Sequence, residues 1–181
     1  VYKVEHLMMA KVLALKVLRS EQVSEEVWKR FRIEAQAIAR LDHANVVRIY
    51  DMSQTESGLP YYTMDLLVGE SLADYLDEYY RLPVKEALPI FRQVCAGLAY
   101  AHDRGIVHRD IKPENICYYK GSFCIIDLDA AEKIHSDIHP NSVVGTELYR
   151  HPRCIKKNEF CNNPKNDIFA LGLTMQFLLN Q

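Results

Sequence analysis

Asp110, Asn115 and Asp127 are three side chains with oxygen ligands in the stretch from Ile106 to Asp129. Asp110 and Asn115 flank a short connection, and an apolar strand-like run follows Asn115. A turn at 120–122 separates it from a second apolar run, which ends at Asp127. A hairpin of these runs would bring Asn115 beside Asp127, with Asp110 nearby. Converging oxygen ligands of this kind suit Mg²⁺, which binds a few protein oxygens together with substrate phosphates.

The same stretch resembles a known family. The catalytic loop and the metal-binding aspartate of protein kinases are matched by His108, Arg109, Asp110, Lys112, Asn115 and Asp127. The chain therefore resembles a eukaryotic-type protein kinase, and Lys112 favours the serine/threonine class. The resemblance implies transfer of the ATP γ-phosphate to a protein hydroxyl, with Asp110 and Lys112 as catalytic residues. Asn115 and Asp127 would hold two Mg²⁺ ions.

The nucleotide site is expected mainly in the first third of the chain. Leu13–Lys16 resembles the family's Val-Ala-Ile-Lys strand, whose lysine holds the α- and β-phosphates. A helix starting near Ser24 places Glu34 on its apolar stripe, and Glu34 resembles the glutamate that pairs with this lysine. Met64 resembles the gatekeeper, and the hinge that follows would bind adenine through its backbone. The further nucleotide-binding residues that the resemblance implies are Val1, Ala14, Asp65, Leu67 and Cys117.

Strand-like and helical patterns alternate in a way that indicates an α+β protein. Strands are predicted at 1–4, 12–18, 46–50 and 61–66, and helices from Ser71 and over 83–103. With the resemblance, this predicts a bilobal kinase-like fold, with a partial small β-rich N-lobe over 1–67 and a partial, mostly helical C-lobe over 68–181. We expect the family's glycine-rich loop before Val1 and further helices after Gln181, so both lobes are incomplete.

The resemblance also assigns an activation segment from Asp127 to about Arg153. Arg109 would bind a phosphate on this segment, and Ser142 is the better candidate than Ser136 for the phosphorylated residue. Thr146 is expected to contact Asp110 and Lys112. Asp167 resembles the aspartate that ties down the backbone of the catalytic loop.

Bulk composition excludes several classes of function. A net charge of −2 gives no reason to expect a nucleic-acid or anionic-membrane partner. No apolar run approaches the length of a membrane span, and no signal peptide is visible. The five cysteines lack a CxxC pair and are expected to be reduced thiols of a cytoplasmic chain. The expected partners are ATP, a protein substrate and a possible regulatory protein or flanking domain.

Two departures from the family pattern leave alternatives open. The metal motif reads Asp127-Leu128-Asp129 where the family has glycine at the third position, and Arg153 replaces a glutamate. These departures favour a pseudokinase, which would bind nucleotide or partners without phosphoryl transfer. A small-molecule phosphotransferase of the aminoglycoside-kinase kind shares the Asp-x-x-x-x-Asn spacing. Lys112 and the segment from Gly145 to Pro152 argue against that second alternative.

Overall fold

A computed structural model shows two compact units, and the predicted α+β class is confirmed. The first unit comprises Val1–His43 and Val47–Val68, and the second comprises Ala44–Val46 and Gly69–Gln181. The structure describes residues 1–8, 10–17, 36–79, 81–134, 145–157 and 162–180. Of the predicted helix that carries Glu34, the structure describes the end, where residues 36–38 are helical. Glu34 itself and the serines at 136 and 142 lie outside the described residues. The predicted lobe boundary at 67/68 stays a prediction.

The first unit is built on a four-stranded antiparallel sheet in the order β1-β2-β4-β3. Its strands are β1 (Tyr2–His6), β2 (Lys11–Val17), β3 (Ile49–Gln54) and β4 (Pro60–Asp65). Strand β2 contributes Leu13 and Ala14 to the buried core, as expected for a central strand rich in apolar residues. Strand β3 begins later than the predicted Val46, because Val46 forms a parallel bridge to Ile125 in the second unit.

The second unit is mostly helical. Its helices are α1 (Leu72–Tyr79), α2 (Val84–Asp103), α3 (Pro152–Lys157) and α4 (Pro164–Asn180). Its short strands are β5 (Ile106–Val107), β6 (Ile116–Tyr119), β7 (Ser122–Ile125) and β8 (Glu132–Lys133). Strands β6 and β7 form the predicted antiparallel hairpin, and β5 pairs with β8. Short 3-10 turns occupy Pro113–Asn115, Leu128–Ala130 and Glu147–Tyr149.

Helix α2 organises the core of this unit. Its buried side chains recur at helical spacing and form one stripe, which comprises Ala87, Ile90, Phe91, Val94, Leu98 and Ala101. Ile116 and Ile125 of the β6–β7 hairpin join the same cluster, as does Leu178 of α4. The hairpin that carries the candidate site residues is therefore seated on a packed helix. No helix in the described part of the chain has both the length and the apolar character needed to cross a membrane.

The cysteines differ in part from expectation. Cys95, Cys117 and Cys124 are free thiols, as predicted, but Cys154 at helix α3 is disulfide-bonded. The expectation of thiols throughout was therefore wrong at Cys154. Disulfide formation depends on the approach of two Cα atoms in space, which the spacing of cysteines along the sequence does not reveal.

We predict that glycine is the more stable residue at position 97 of α2, whereas alanine is the more stable residue at the adjacent position 96. A Cβ atom at Gly97 would lie 2.7 Å from the carbonyl oxygen of Asn45, so Gly97→Ala should lower the free energy of unfolding by about 1–3 kcal/mol. Ala96 is exposed, and Ala96→Gly should cost about 1 kcal/mol through helix propensity alone. Chemical denaturation measures both; a stabilised Gly97→Ala protein would contradict the close approach.

Candidate active site

Asp167 anchors the loop that carries the candidate catalytic residues. It lies in the first turn of α4 with its side chain only 1% exposed. Its carboxylate accepts hydrogen bonds from the backbone N–H of His108 at 2.9 Å and of Arg109 at 2.8 Å. Its Oδ2 also lies 2.8 Å from Nε2 of His102. The predicted tie between Asp167 and the loop is therefore present, and His102 is a partner that the sequence did not indicate.

Asp110 lies at the centre of a compact polar cluster. Its Oδ1 accepts hydrogen bonds from the backbone N–H of Thr146 at 2.7 Å and from the Thr146 hydroxyl at 2.8 Å. The ammonium of Lys112 lies 3.1 Å from Oδ2 of Asp110 and donates to the Thr146 hydroxyl at 2.7 Å. Thr146 thus makes both of its predicted contacts, and the side chains of Thr146 and Lys112 both bond to the Asp110 carboxylate.

The surroundings of Asp110 favour its ionised form. Burial alone would raise the pKa of Asp110, but the hydrogen bonds from Thr146 and the charge of Lys112 outweigh burial. The pKa of Asp110 is therefore held below its ordinary value. A carboxylate in this state can orient a hydroxyl and accept its proton late in a reaction, but it is a weak base at the start.

A backbone hydrogen bond connects Asn115 with Ile126, the residue before Asp127. The N–H of Ile126 donates to the carbonyl oxygen of Asn115 at 2.9 Å, so Asn115 lies opposite Ile126, one residue short of Asp127. The Asn115 amide donates through Nδ2 to the carbonyl oxygen of Asp110 at 2.8 Å. Because Nδ2 makes this bond, Oδ1 of Asn115 is the candidate oxygen ligand at the start of the hairpin.

Asp127 adopts a left-handed backbone conformation with φ of 60°. Its carboxylate accepts from the N–H of Asp129, which lies in the 3-10 turn that follows and is exposed. Asp129, which stands where the family has glycine, therefore does not adopt the left-handed conformation, and an aspartate fits this position without backbone strain. Arg153, the second departure, lies exposed in the first turn of α3.

The donor set at the hairpin fits Mg²⁺ better than a metal held entirely by protein. No group of three or more His, Cys, Asp or Glu side chains in the described ranges is arranged to hold a metal ion. Asn115 and Asp127 would supply only one amide oxygen and one carboxylate. Mg²⁺ commonly completes its coordination in such sites with waters and substrate phosphates.

The residues predicted to bind the nucleotide lie mainly in the first unit. Lys16 is half-buried on β2 opposite Tyr62, and Ala14 lies opposite Met64 in the same register. The Asp65 carboxylate accepts hydrogen bonds from Tyr50 at 2.9 Å and from Lys11 at 3.0 Å. The Asp65 side chain is thus occupied within its own sheet, and adenine binding by backbone groups stays a prediction.

The remaining three nucleotide-binding predictions fall at scattered positions. Val1 is exposed ahead of β1, Leu67 follows β4, and Cys117 is buried in β6 of the second unit. The convergence of these residues with Asp110 on one nucleotide site stays a prediction.

Comparison with known proteins identifies the family of the chain. Residues 1–181 match the protein kinase domain family. The chain belongs to the protein kinase domain family. It is 37% identical over 99% of its length to the serine/threonine-protein kinase PrkC of Bacillus subtilis, covering 28% of that protein. It is 33% identical over 92% of its length to PknL of Mycobacterium tuberculosis, covering 42% of it. The chain therefore spans less than half the length of these relatives.

One arginine of this kinase domain already has a carboxylate partner. The guanidinium of Arg109 forms an ion pair with Glu132 of β8, in which the two side chains are 11% and 3% exposed. Arg109 also donates to the carbonyl oxygen of Ala130 and, at 3.2 Å, to the side chain of Asn162. Glu132 and Asn162 were missed in the sequence, because neither stands in a motif or at a diagnostic spacing. Phosphate binding by Arg109 stays a prediction.

We predict that Thr146→Val raises the pKa of Asp110. The variant loses the hydroxyl that donates to Oδ1, while the burial that disfavours the charged carboxylate remains. The measurement is an NMR titration of the carboxyl carbon. Asp74, whose pKa is lowered by hydrogen bonds from Ser71, is an internal control and should not change.

The effect of Thr146→Val on the free energy of unfolding should also depend on pH. Because the folded-state pKa of Asp110 is depressed, the ionised group contributes stability at neutral pH that is lost as the pH falls through that pKa. The stability difference between the wild type and Thr146→Val should therefore shrink on acidification. An unchanged or lowered pKa of Asp110 would contradict the role given to Thr146.

A separate prediction concerns the buried ion pair. Glu132→Gln leaves the guanidinium of Arg109 buried without its countercharge, so the free energy of unfolding should fall by about 3 kcal/mol. Asp42→Asn is the matched control, because the Asp42–Arg48 pair is 68% and 50% exposed and should contribute less than about 1 kcal/mol. Denaturant titration measures both, and equal small effects would show that the Arg109–Glu132 pair is not stabilising.

Proposed function

We propose that this chain is part of the catalytic domain of a protein serine/threonine kinase, which transfers the γ-phosphate of ATP to a protein hydroxyl. The observation that supports it most is the cluster in which Lys112 and Thr146 surround the ionised carboxylate of Asp110. Groups that set the protonation state of a single carboxylate in this way are concentrated at functional sites.

The proposed chemistry follows from the positions of these groups. The substrate hydroxyl oxygen forms a bond to the γ-phosphorus while the bond from that phosphorus to the β-phosphate oxygen breaks. The hydroxyl proton passes to the Asp110 carboxylate, which orients the nucleophile beforehand. Lys112 lies within hydrogen-bonding distance of the same carboxylate, and its charge would stabilise the transferred phosphoryl group.

Asn115 and Asp127 are the residues proposed to hold Mg²⁺. When bound, the metal would neutralise charge on the phosphates of ATP. Asn115 contributes its Oδ1, since its Nδ2 is held by Asp110. Lys16, paired with Glu34, is proposed to bind the α- and β-phosphates, and the backbone of Asp65–Leu67 is proposed to bind adenine beneath Met64.

A pseudokinase remains the second candidate, because Asp129 adds a negative charge two residues from the proposed metal ligand Asp127. That charge would oppose the binding of ATP phosphates unless it helps to hold a metal ion. The partners proposed for the kinase are ATP and a protein substrate. A cytoplasmic location stays a prediction, and the disulfide at Cys154 removes part of the argument for it.

The decisive experiment is transfer of radiolabelled phosphate from ATP to a generic protein substrate by the protein as it occurs naturally. Asp110→Asn should lower the rate by roughly 100- to 10,000-fold, the usual contribution of a positioned acid–base group. Asp103→Asn is the matched control, because it makes the same charge change at an exposed position at the end of α2; its rate should equal that of the wild type.

The possible outcomes separate the candidates. Transfer by the wild type that survives Asp110→Asn would refute the role of this residue. No transfer with either Mg²⁺ or Mn²⁺, together with retained nucleotide binding, would favour the pseudokinase. Phosphorylation of small alcohols but of no protein would point to a small-molecule phosphotransferase.

A further inference from the structure

Three side chains form a polar cluster in the first unit, at the point where β4 ends. The carboxylate of Asp65 accepts hydrogen bonds from the Tyr50 hydroxyl at 2.9 Å and from the Lys11 ammonium at 3.0 Å. Lys11 also donates to the Tyr50 hydroxyl and lies 3.9 Å from the centre of its ring. Because Lys11 comes from β2 and Tyr50 from β3, this Asp65 cluster joins β4 to both of its neighbouring strands.

An irregularity in β3 lets Tyr50 reach Asp65. Ile49 and Asp51 face consecutive residues of β4, so Tyr50 between them is the extra residue of a β-bulge. A bulge turns a side chain out of the regular alternation of a strand, and bulges are frequent beside active sites. The direction of the Tyr50 side chain is therefore a built feature of the sheet, which the ordinary alternation along β3 would not produce.

The same part of β3 also holds the backbone of Asp65. The N–H of Asp65 donates to the carbonyl oxygen of Arg48 at 3.1 Å. Residues 48–50 thus bind Asp65 through its main chain and through its side chain. The chain leaves the sheet directly after Asp65, since residues 66–68 belong to no strand. The Asp65 cluster therefore fixes the position from which this irregular segment starts.

The cluster is poorly suited to stabilise the fold as a whole. The side chains of Lys11 and Asp65 are 40% and 26% exposed, and ion pairs this accessible contribute little to the free energy of unfolding because water screens them. The contacts do keep the ammonium charged, since the pKa of Lys11 is raised, with the hydrogen bond to Tyr50 as the largest cause. The effect of the cluster is therefore expected in the placement of the backbone rather than in global stability.

We propose that Lys11 and Tyr50 are positioning residues for adenine. By holding the Asp65 carboxylate, they fix the backbone that leaves β4 in the geometry that binds the base. This rests on the proposed function, in which the backbone of Asp65–Leu67 binds adenine. A segment that is ordered before its ligand arrives loses less conformational entropy on binding. The Asp65 cluster thus sets the affinity for ATP and leaves the rate of phosphoryl transfer to the residues around Asp110.

The test compares Tyr50→Phe and Lys11→Met with the wild type, in the protein as it occurs naturally. Affinities for ATP and for adenosine are measured by displacement of a fluorescent ATP analogue. The KM for ATP and kcat are measured by transfer of radiolabelled phosphate to a generic protein substrate. Each variant should bind both ligands about two- to tenfold more weakly, the equilibrium factor of one ordinary hydrogen bond. KM should rise by a similar factor, while kcat stays unchanged.

Adenosine separates positioning from simple charge attraction. Lys11→Met removes a positive charge that attracts the phosphates of ATP, whereas adenosine is neutral and reports binding of the base. Tyr61→Phe is the matched control, because it removes the same hydroxyl near the other end of β4, and it should leave both affinities unchanged. Since Lys11 and Tyr50 act through one carboxylate, the double variant should be weakened by less than the product of the two single effects.

Four results would overturn the proposal. Equal affinities in the wild type and in both variants would remove the positioning role and leave the proposed kinase function intact. Weaker binding of ATP with unchanged binding of adenosine would reduce the effect to charge. A kcat that falls together with the affinity would indicate general damage to the site. A wild type that binds neither ATP nor adenosine would overturn the proposed function as well, so the two failures are distinguishable.

Discussion

The candidate site depends on one buried carboxylate. Asp167 is almost fully removed from water, and an ionised group in that environment is tolerated only when its oxygens are bonded. Two backbone N–H groups and His102 supply those bonds. Because Asp167 belongs to α4, the helix fixes the backbone at His108 and Arg109, and this backbone sets the position of Asp110. Its removal would leave the loop without its main support and three polar groups without partners.

Close backbone approaches then define the remaining geometry. Arg109 has a positive φ of 67°, and a Cβ atom at Gly145 would lie 2.3 Å from its carbonyl oxygen. Only glycine permits that contact, and it brings Thr146 onto the Asp110 carboxylate. On the other side of the loop, Glu132 neutralises the Arg109 guanidinium. The strained residue is thus held at its backbone N–H by Asp167 and at its guanidinium by Glu132, which is how unfavourable backbone conformations persist at functional sites.

The sequence predicted the elements that depend on neighbouring residues: the β6–β7 hairpin followed from its turn residues and helix α2 from its apolar periodicity. The long-range contacts of Thr146 and Asp167 were predicted only through the family resemblance. The start of β3, the disulfide at Cys154 and the pairing of Glu132 with Arg109 did not, because each depends on segments that approach only in the folded chain. The family's glycine at the position of Asp129 suggested a left-handed backbone there, but in this chain the left-handed residue is Asp127.

The bonds of Asp167 also bear on how the protein is made. His108 and Arg109 lie 59 and 58 residues before the acid that secures them, so closing this contact carries the entropy of a long loop. During synthesis from the N-terminus, the loop leaves the ribosome several seconds before α4 does. A nascent chain therefore holds the residues of the candidate site before it can arrange them, and the geometry around Asp110 forms only when the later helix docks.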